Sequence, residues 1–328
     1  YASLAASRFA TDHNEIMIEY PDLEEFLPQL VRCFDEPFAD AAAVPTYLIA
    51  REASHHLKVV LSGNGGDELF AGYAKYLAEP MACMLSYLPA SFRSSILAPL
   101  AELLPVSTAV ADPVRRLKRI LRYSLLPPSM RPISWLNGFD EETLRKLLAR
   151  DVLNELKDFD PLAVIRRFFD STPDADTLSR LLFTEFNSYL PSNNLHKDDI
   201  LGMAHSLEIR VPFLDHRLVE LAFTIPSSLK LRGFKTKYIL KKSLRGLLPA
   251  EILYRPKQGF SAPVGEWIKG KLRPLCEGLF FQKNSETCSY FNQDEIRTLF
   301  NEHLRGHADH SHRLWALLIL FVWFQNKP

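Results

Sequence analysis

The sequence carries no net charge: Lys plus Arg and Asp plus Glu each total 39 in 328 residues. The broad electrostatic footprint of a protein that binds nucleic acid or an anionic membrane is missing, so neither partner is expected and any anion must be held locally. Cysteine is sparse as well. Cys33, Cys83, Cys276 and Cys288 lie far apart and form no CxxC pair. A chain this large needs no covalent staples, and a reducing, cytoplasmic setting is expected. Long apolar runs are also lacking. Leu314 to Phe324 is about half the length that crosses a bilayer, and Trp315, Leu318 and Phe321 on it read as part of a buried helix. No signal peptide, internal repeat or low-complexity tract is visible. Tyr1 is not an initiator residue, so the chain reads as beginning inside a protein.

The chain does have enough apolar content for a full core: 47% of its residues are hydrophobic, and a chain of this size hides roughly three quarters of its extended surface. One large globular domain, or two closely fused ones, is expected. Residues 1–80 read as alternating helix and strand. Tyr1 to Thr11 is helical, Glu15-Ile-Met-Ile-Glu19 alternates like a strand, and Asp22 caps a helix with an apolar stripe through Phe34 that Pro28 threatens to split. Pro45 opens a second helix running to about His56. Lys58-Val-Val-Leu-Ser62 reads as a short buried strand entering a glycine turn. Strands separated by helices imply a parallel sheet with ligands beyond the strands' C-terminal ends, which places Ser62 to Glu68 at the expected site. Residues 81–328 read as mainly helical, broken by Pro pairs, without further convincing strands.

The strongest local signal is Val59-Val-Leu-Ser-Gly-Asn-Gly-Gly-Asp-Glu-Leu-Phe-Ala-Gly-Tyr73. Glycines at 63, 65 and 66 let backbone N–H groups approach a phosphate, and Asp67 stands where a carboxylate could hold Mg²⁺. Read blandly, the same residues form a turn, with Asp67 or Glu68 complementing a helix start. This stretch resembles the second signature of asparagine synthetases, Ser-Gly-Asp/Glu-Gly-Gly/Ser-Asp-Glu-Leu-Phe-Gly-Gly-Tyr. Asp35-Glu-Pro-Phe-Ala-Asp40 with Val44-Pro-Thr-Tyr47 is similar to the family's preceding segment. Met203-Ala-His-Ser-Leu-Glu-Ile-Arg-Val-Pro-Phe-Leu-Asp-His216 is similar to its central helix and loop, and Tyr254-Arg-Pro-Lys-Gln-Gly-Phe260 to its late lysine loop. The four motifs stand in the family's order, and the resemblance runs to about Leu320.

The resemblance implies an α/β, ATP-pyrophosphatase-like (adenine nucleotide alpha hydrolase-like) parallel sheet, truncated at its N-terminus, with a large mainly helical remainder. It implies a synthetase domain using ATP and Mg²⁺. A carboxylate, with aspartate leading, attacks the α-phosphate to give an acyl-adenylate and pyrophosphate, and ammonia from a glutaminase domain then displaces AMP. By similarity Ser62 and Gly63 lie against the nucleotide, Gly65 and Gly66 belong to the same nucleotide-binding loop, Asp67 binds Mg²⁺, and Lys257 contacts the phosphates and steadies the tetrahedral intermediate. A homodimer is left open.

Three departures qualify this. The family commonly has Asp or Glu at the position of Asn64, which carries a role in the acceptor or ammonia step, and an amide cannot take up a proton. It has an acidic pair after Tyr-Leu-Pro and then Lys-Val-Asp-Arg, where this chain reads Tyr189-Leu-Pro-Ser-Asn193 and Lys197-Asp-Asp-Ile200. Three charged positions near the acceptor pocket become neutral, so the acceptor need not be free aspartate. The first signature, Ser-Gly-Gly-x-Asp-Ser, and the N-terminal cysteine of the glutaminase domain are absent, so the chain alone is expected to be inactive. Two other readings stay in view: a divergent amidotransferase acting on another carboxylate, and a noncatalytic nucleotide-binding relative. A β-lactam-synthetase-like cyclase is disfavoured because position 64 is not aromatic. Glu208 and Arg210 read as a buried pair near a helix end that fixes a loop, and Asp215 and His216 as a turn and cap. His303, His307, His310 and His312 read as solvated or capping histidines rather than a metal site.

Overall fold

The computed structural model describes residues 1–17, 19–97, 99–100, 103, 113–126, 131, 139, 141–255, 259–260, 262–282 and 286–326. The chain opens with helices α1 (Ala2–Phe9), α2 (Leu23–Phe34) and α3 (Ala43–Ser54). Asp22 caps α2 by accepting the Glu24 N–H at 2.9 Å, and the stripe Leu23, Phe26, Leu27, Leu30, Val31 and Phe34 is buried throughout. Pro28 lies inside α2 without splitting it. Apolar side chains on both sides of the proline pack into one core, and that burial outweighs the roughly 3 kcal/mol an interior proline costs. In α3, Pro45 falls in the first turn, where its missing N–H has no helical partner to lose.

Strand β1 (Val59–Leu61) pairs in parallel with β2 (Glu208–Arg210), in the register Val59↔Glu208, Val60↔Ile209 and Leu61↔Arg210. Three expectations about strands need correcting. Residues 15–17 form no strand, and Met17 points into solvent at 88% exposure. Alternation alone does not make a strand without a partner and a face to cover it. A second strand does arise in the later part of the chain, from Glu-Ile-Arg, too short to stand out by pattern. Finally, β1 is not buried: Leu61 is 73% exposed, since the described sheet has two strands and little covers its faces.

The main core joins α2 and α3 to the helices Val264–Lys269, Arg273–Phe280, Gln293–Leu304 and Ser311–Asn326. The last is buried on several sides through Leu314, Trp315, Leu317, Leu318, Ile319, Phe321 and Val322. Phe280 meets Phe321 edge to face at 5.3 Å, and the Trp323 indole donates to the Asp35 carbonyl at 3.2 Å, closing the core onto the C-terminal end of α2. No helix among the described residues is long and apolar enough to cross a membrane. All four cysteines are free thiols, and burial pushes Cys276 up to about 12. Smaller apolar clusters around Leu69, Phe70 and Ala222, and around Ala71, Tyr76, Leu181 and Leu182, pin the segment that follows β1.

Leu318 is fully buried, so Leu318→Ala is expected to lower stability by about 2–5 kcal/mol, read from the urea midpoint at unchanged slope. A loss under about 1 kcal/mol would contradict its place in the core.

Candidate active site

The loop leaving β1 begins with the Ser62 N–H donating to the Arg210 carbonyl at 2.8 Å, one step beyond the paired residues. Its three glycines do different things. Gly65 has φ +86°, and a Cβ there would sit 2.4 Å from Leu214 Cδ2, while one at Gly66 would touch the Phe213 ring at 3.4 Å. The first is demanded by the Val211–Leu214 turn packed over it, while the second only borders Phe213 at ordinary contact distance. Gly63 has nothing within 4 Å of its Cβ direction, and there the loop presents an open face. The following helix α4 (Gly66–Phe70) is barely more than one turn, so its dipole adds less to anion binding than the sequence suggests.

Asp67, half-buried, pairs with Lys237 Nζ at 2.9 Å. Lys237 itself has φ 52°, in the left-handed region, and its N–H donates to the Phe70 carbonyl at 3.2 Å. The pair crosses directly over Gly72, where a Cβ would fall 1.8 Å from Asp67 Oδ1 and 2.2 Å from Lys237 Cε. On the other side of the loop the Asn64 amide donates to Asp198 Oδ2 at 2.7 Å. Burial raises the Asp198 carboxyl, opposed by the Lys197 charge and by hydrogen bonds from Ser62 and Asn64.

Asp198 belongs to the helix His196–Met203, which continues a π-wound segment, Leu190–Leu195. Such wide turns are rare and collect at functional sites. Asn193 and Lys197 both donate to Asp40 Oδ2, at 3.0 and 2.7 Å. Asn194 donates to Glu68 Oε1 and to the Tyr73 hydroxyl, each at 3.2 Å, while Tyr73 donates to Glu68 Oε1 at 2.7 Å. Deeper still, the fully buried Glu185 accepts from Tyr76 at 2.8 Å and pairs with Lys75 at 2.8 Å. Burial raises Glu185, and the Lys75 ammonium and Tyr76 hydroxyl pull it back. Lys75 is enclosed by rings, 4.8 Å from the centroid of Tyr73 and 5.0 Å from that of Tyr189. Burial raises the Tyr73, Tyr76 and Tyr189 hydroxyls, leaving them neutral donors. A cavity of about 290 Å³ lined by Tyr76, Glu79, Cys83, Leu178, Ser227 and Leu231 lies near this network, and none of residues 62–67 lines it.

Ser62, Gly63, Asn64 and Gly65 thus share one loop, Gly66 and Asp67 open the helix α4 that continues it, and Lys257 lies outside the described residues. Glu208 and Arg210 pair at 2.8 Å, but on β2 and in solvent, not buried at a helix end: a residue and its second neighbour point to the same face of a strand, here an uncovered one. Asp215 does cap the helix His216–Thr224, accepting the Arg217 N–H at 3.0 Å. Among the described residues no group of three or more side chains could hold a metal. His303 is not solvated but buried against the Gly265 carbonyl at 3.1 Å, and His310 bonds Glu302 at 2.7 Å, while His307 and His312 are exposed.

Lys237, Glu185 and Asp198 escaped the reading of the sequence, although two of them left a trace. Leu178, Leu181, Leu182 and Glu185 follow the i, i+3, i+4, i+7 spacing of one helix face, so Glu185 continues an apolar stripe and must be buried. Lys237 precedes a helix, where a cation opposes the dipole and needs another reason to be there.

The family model described as Asparagine synthase matches residues 1–325. The chain is 32% identical over 298 residues to "Asparagine synthetase [glutamine-hydrolyzing] 1" of Bacillus subtilis (strain 168), covering 90% of the chain and 45% of that protein. It is 32% identical over 324 residues to "Putative asparagine synthetase [glutamine-hydrolyzing]" of Mycobacterium tuberculosis (strain ATCC 25618 / H37Rv), covering 98% of the chain and 47% of that protein. It is also similar to "Amidase chyE" of Penicillium rubens, 29% identical over 271 residues, covering 74% of the chain and 38% of that protein. The chain spans about half the length, or less, of these relatives. With its glycine loop, its paired Asp67 and a match that runs nearly end to end, the chain belongs to the asparagine synthase family.

Proposed function

We propose that this chain is the synthetase part of a glutamine-dependent asparagine synthetase, an ATP-dependent carbon–nitrogen ligase on an ATP-pyrophosphatase-like fold. It turns a carboxylate, aspartate first among candidates, into an acyl-adenylate and then an amide, releasing pyrophosphate and AMP. The nitrogen is ammonia, supplied through glutamine hydrolysis by a glutaminase domain. The observation that carries this reading is the Ser62–Asp67 loop at the C-terminal end of a parallel strand, with Lys237 paired to Asp67 on one side and Asp198 bonded to Asn64 on the other.

A carboxylate is a poor electrophile until one oxygen becomes a good leaving group, and joining it to ATP brings two anions together. The chain's task is therefore to offset charge and hold the attack in line. Ser62 and the open face of Gly63 would take the nucleotide, and Gly65 and Gly66 fix the turn beneath Phe213 and Leu214. Lys237 and Lys257 would supply positive charge to the phosphates. Asp67 fits Mg²⁺ as a single hard oxygen donor in a half-buried position, a type of ligand this ion takes alongside phosphate and water. Bound there, the ion would neutralise phosphate charge.

A second reading, a divergent amidotransferase with another acceptor, is favoured by the neutral Asn64 and Asn193, whose amides are already committed to Asp198 and Asp40.

Pyrophosphate release by the full-length native protein with ATP, Mg²⁺ and ammonia decides among these. Aspartate-dependent release with asparagine formed is the expected result. Release only with another carboxylate selects the second reading, and none with any carboxylate would refute both. Lys257→Ala is expected to leave folding intact and lower turnover by about 10²-fold or more. A fall under about tenfold counts against its phosphate role. Gly72→Ala would press on Asp67 Oδ1 and Cγ and on Lys237 Cε, displacing the pair. It should leave a cooperative fold at a cost of about 1–3 kcal/mol in a denaturant melt while lowering pyrophosphate release by about tenfold or more. Unchanged release would separate the Asp67–Lys237 pair from the reaction.

A further inference from the structure

We propose that Asp198 is the proton acceptor of the ammonia step, working beside Asn64 and through Ser62; the proposal rests on the ligase reading above. When ammonia attacks the acyl-adenylate, its lone pair forms the C–N bond and the carbonyl π pair moves to oxygen. Collapse then re-forms the carbonyl and breaks the bond to AMP, which leaves with the electron pair. The nitrogen arrives with three hydrogens and the amide keeps two, so one proton must go to a base. Asn64, beside the open face at Gly63, cannot take it.

Asp198 can. Its Oδ2 lies 2.7 Å from the Asn64 amide nitrogen, and the Ser62 hydroxyl also hydrogen-bonds its carboxylate. A carboxylate only accepts, so the NH₂ end of Asn64 faces Asp198 and the amide oxygen is turned away from it, free to align an N–H of ammonia. Ser62 completes a short relay: its hydroxyl accepts the proton from nitrogen while passing its own to Asp198. Atoms and charge balance, because neutral ammonia, acyl-adenylate and carboxylate become amide, AMP anion and carboxylic acid.

The surroundings suit a base rather than a structural ion pair. Lys197, the cation next to it in sequence, is spent on Asp40 at 2.7 Å, and Asp198 makes no ion pair of its own among the described residues. The charged groups facing it are thus Lys197 on its own helix, which lowers the carboxyl, and Asp40 from the segment before α3, which raises it by less. Burial raises the carboxyl from its ordinary value, toward the range where a carboxylate accepts protons well. The two side chains it does bond both belong to the loop that holds the reaction.

The test separates the two half-reactions in the full-length native protein, using ammonium as nitrogen source. Acceptor-dependent ATP–pyrophosphate exchange reports adenylate formation, and amide production reports the ammonia step. Asp198→Asn keeps the hydrogen-bonding size, so it is expected to lower amide formation by about 10²-fold or more with a far smaller fall in exchange, and to remove the acid limb of the amide pH profile. The exchanged pair Asn64→Asp with Asp198→Asn returns a carboxylate to the same contact and should recover amide formation to within about tenfold of the wild type. Equal falls in exchange and amide formation would overturn the proposal, reducing Asp198 to a support of the loop, as would an unchanged amide rate. An absence of exchange in the wild type would instead remove the ligase reading, and this proposal with it.

Discussion

A carboxylate taken out of water must be met by donors or opposite charge, and this site contains several at once. Glu185 and Glu68 are almost wholly buried, and Asp40 and Asp198 partly so. Leaving one such charge without its partner costs about 3–5 kcal/mol, so the partners are as important as the acids. One short segment supplies most of them. Asn193, Asn194 and Lys197 reach Asp40, Glu68 and Asp40 in turn, and Asp198 answers Asn64. Side chains so close in sequence serve three separate parts of the chain because the π winding of Leu190–Leu195 widens the turn just before the ordinary helix resumes. The loop after β1, α4 and the segment before α3 are joined through this network, while the helix Thr177–Asn187 meets the segment after β1 through apolar clusters and through Glu185.

On the proposed reading, that arrangement would let a chain of zero net charge handle a highly charged substrate. Its cations are placed individually. Lys75 is sealed among tyrosine rings and neutralises Glu185, Lys197 is committed to Asp40, and Lys237 stands at the mouth of the loop beside Asp67. The first two are structural charges held in low dielectric, where a pair is strong and its loss costly. Of the three, the last is the one that the proposed reading offers to an incoming phosphate in exchange for Asp67. Charge specificity is thus local, and the balanced composition is what a site of this kind leaves behind.

Elements that rest on local chemistry were legible in the sequence. Asp22 as a cap, the stripe from Leu23 to Phe34, the buried helix around Trp315 and Leu318, and the glycine turn at 62–66 each follow from spacing or from one residue's chemistry. What failed was set by distant partners. Glu15 to Glu19 alternates like a strand but forms none over its described residues, while Glu208-Ile-Arg210 has no length to advertise itself and is a strand only because β1 lies beside it. The glycines were assigned one common purpose, although Gly65 answers to Leu214, nearly 150 residues later in the chain. Glu68 was read as complementing a helix start, yet it is buried against Tyr73 and Asn194.

The position of Asp198 relative to Asn64 depends on a closed circuit. The helix His196–Met203 ends in a tight turn in which the His205 and Leu207 N–H groups both return to the Gly202 carbonyl, at 3.0 and 2.9 Å, and Ser206 takes φ 55°. Gly202 has no room for a side chain, since a Cβ would lie 2.6 Å from the Leu207 carbonyl. The turn delivers Leu207 straight into β2, which the 2.9 Å bond from the Glu208 N–H to the Lys58 carbonyl locks to β1. From β1 the chain passes within three residues to Asn64, whose amide returns to Asp198 and completes the ring. A one-residue slip between β1 and β2 would move the loop by about 3.3 Å, more than a hydrogen bond tolerates. It would also pull Gly65 and Gly66 from beneath the turn that follows β2. Register, turn and side-chain contact therefore specify one another, and a two-stranded sheet with little cover is enough to aim the loop because the ring is closed at both ends.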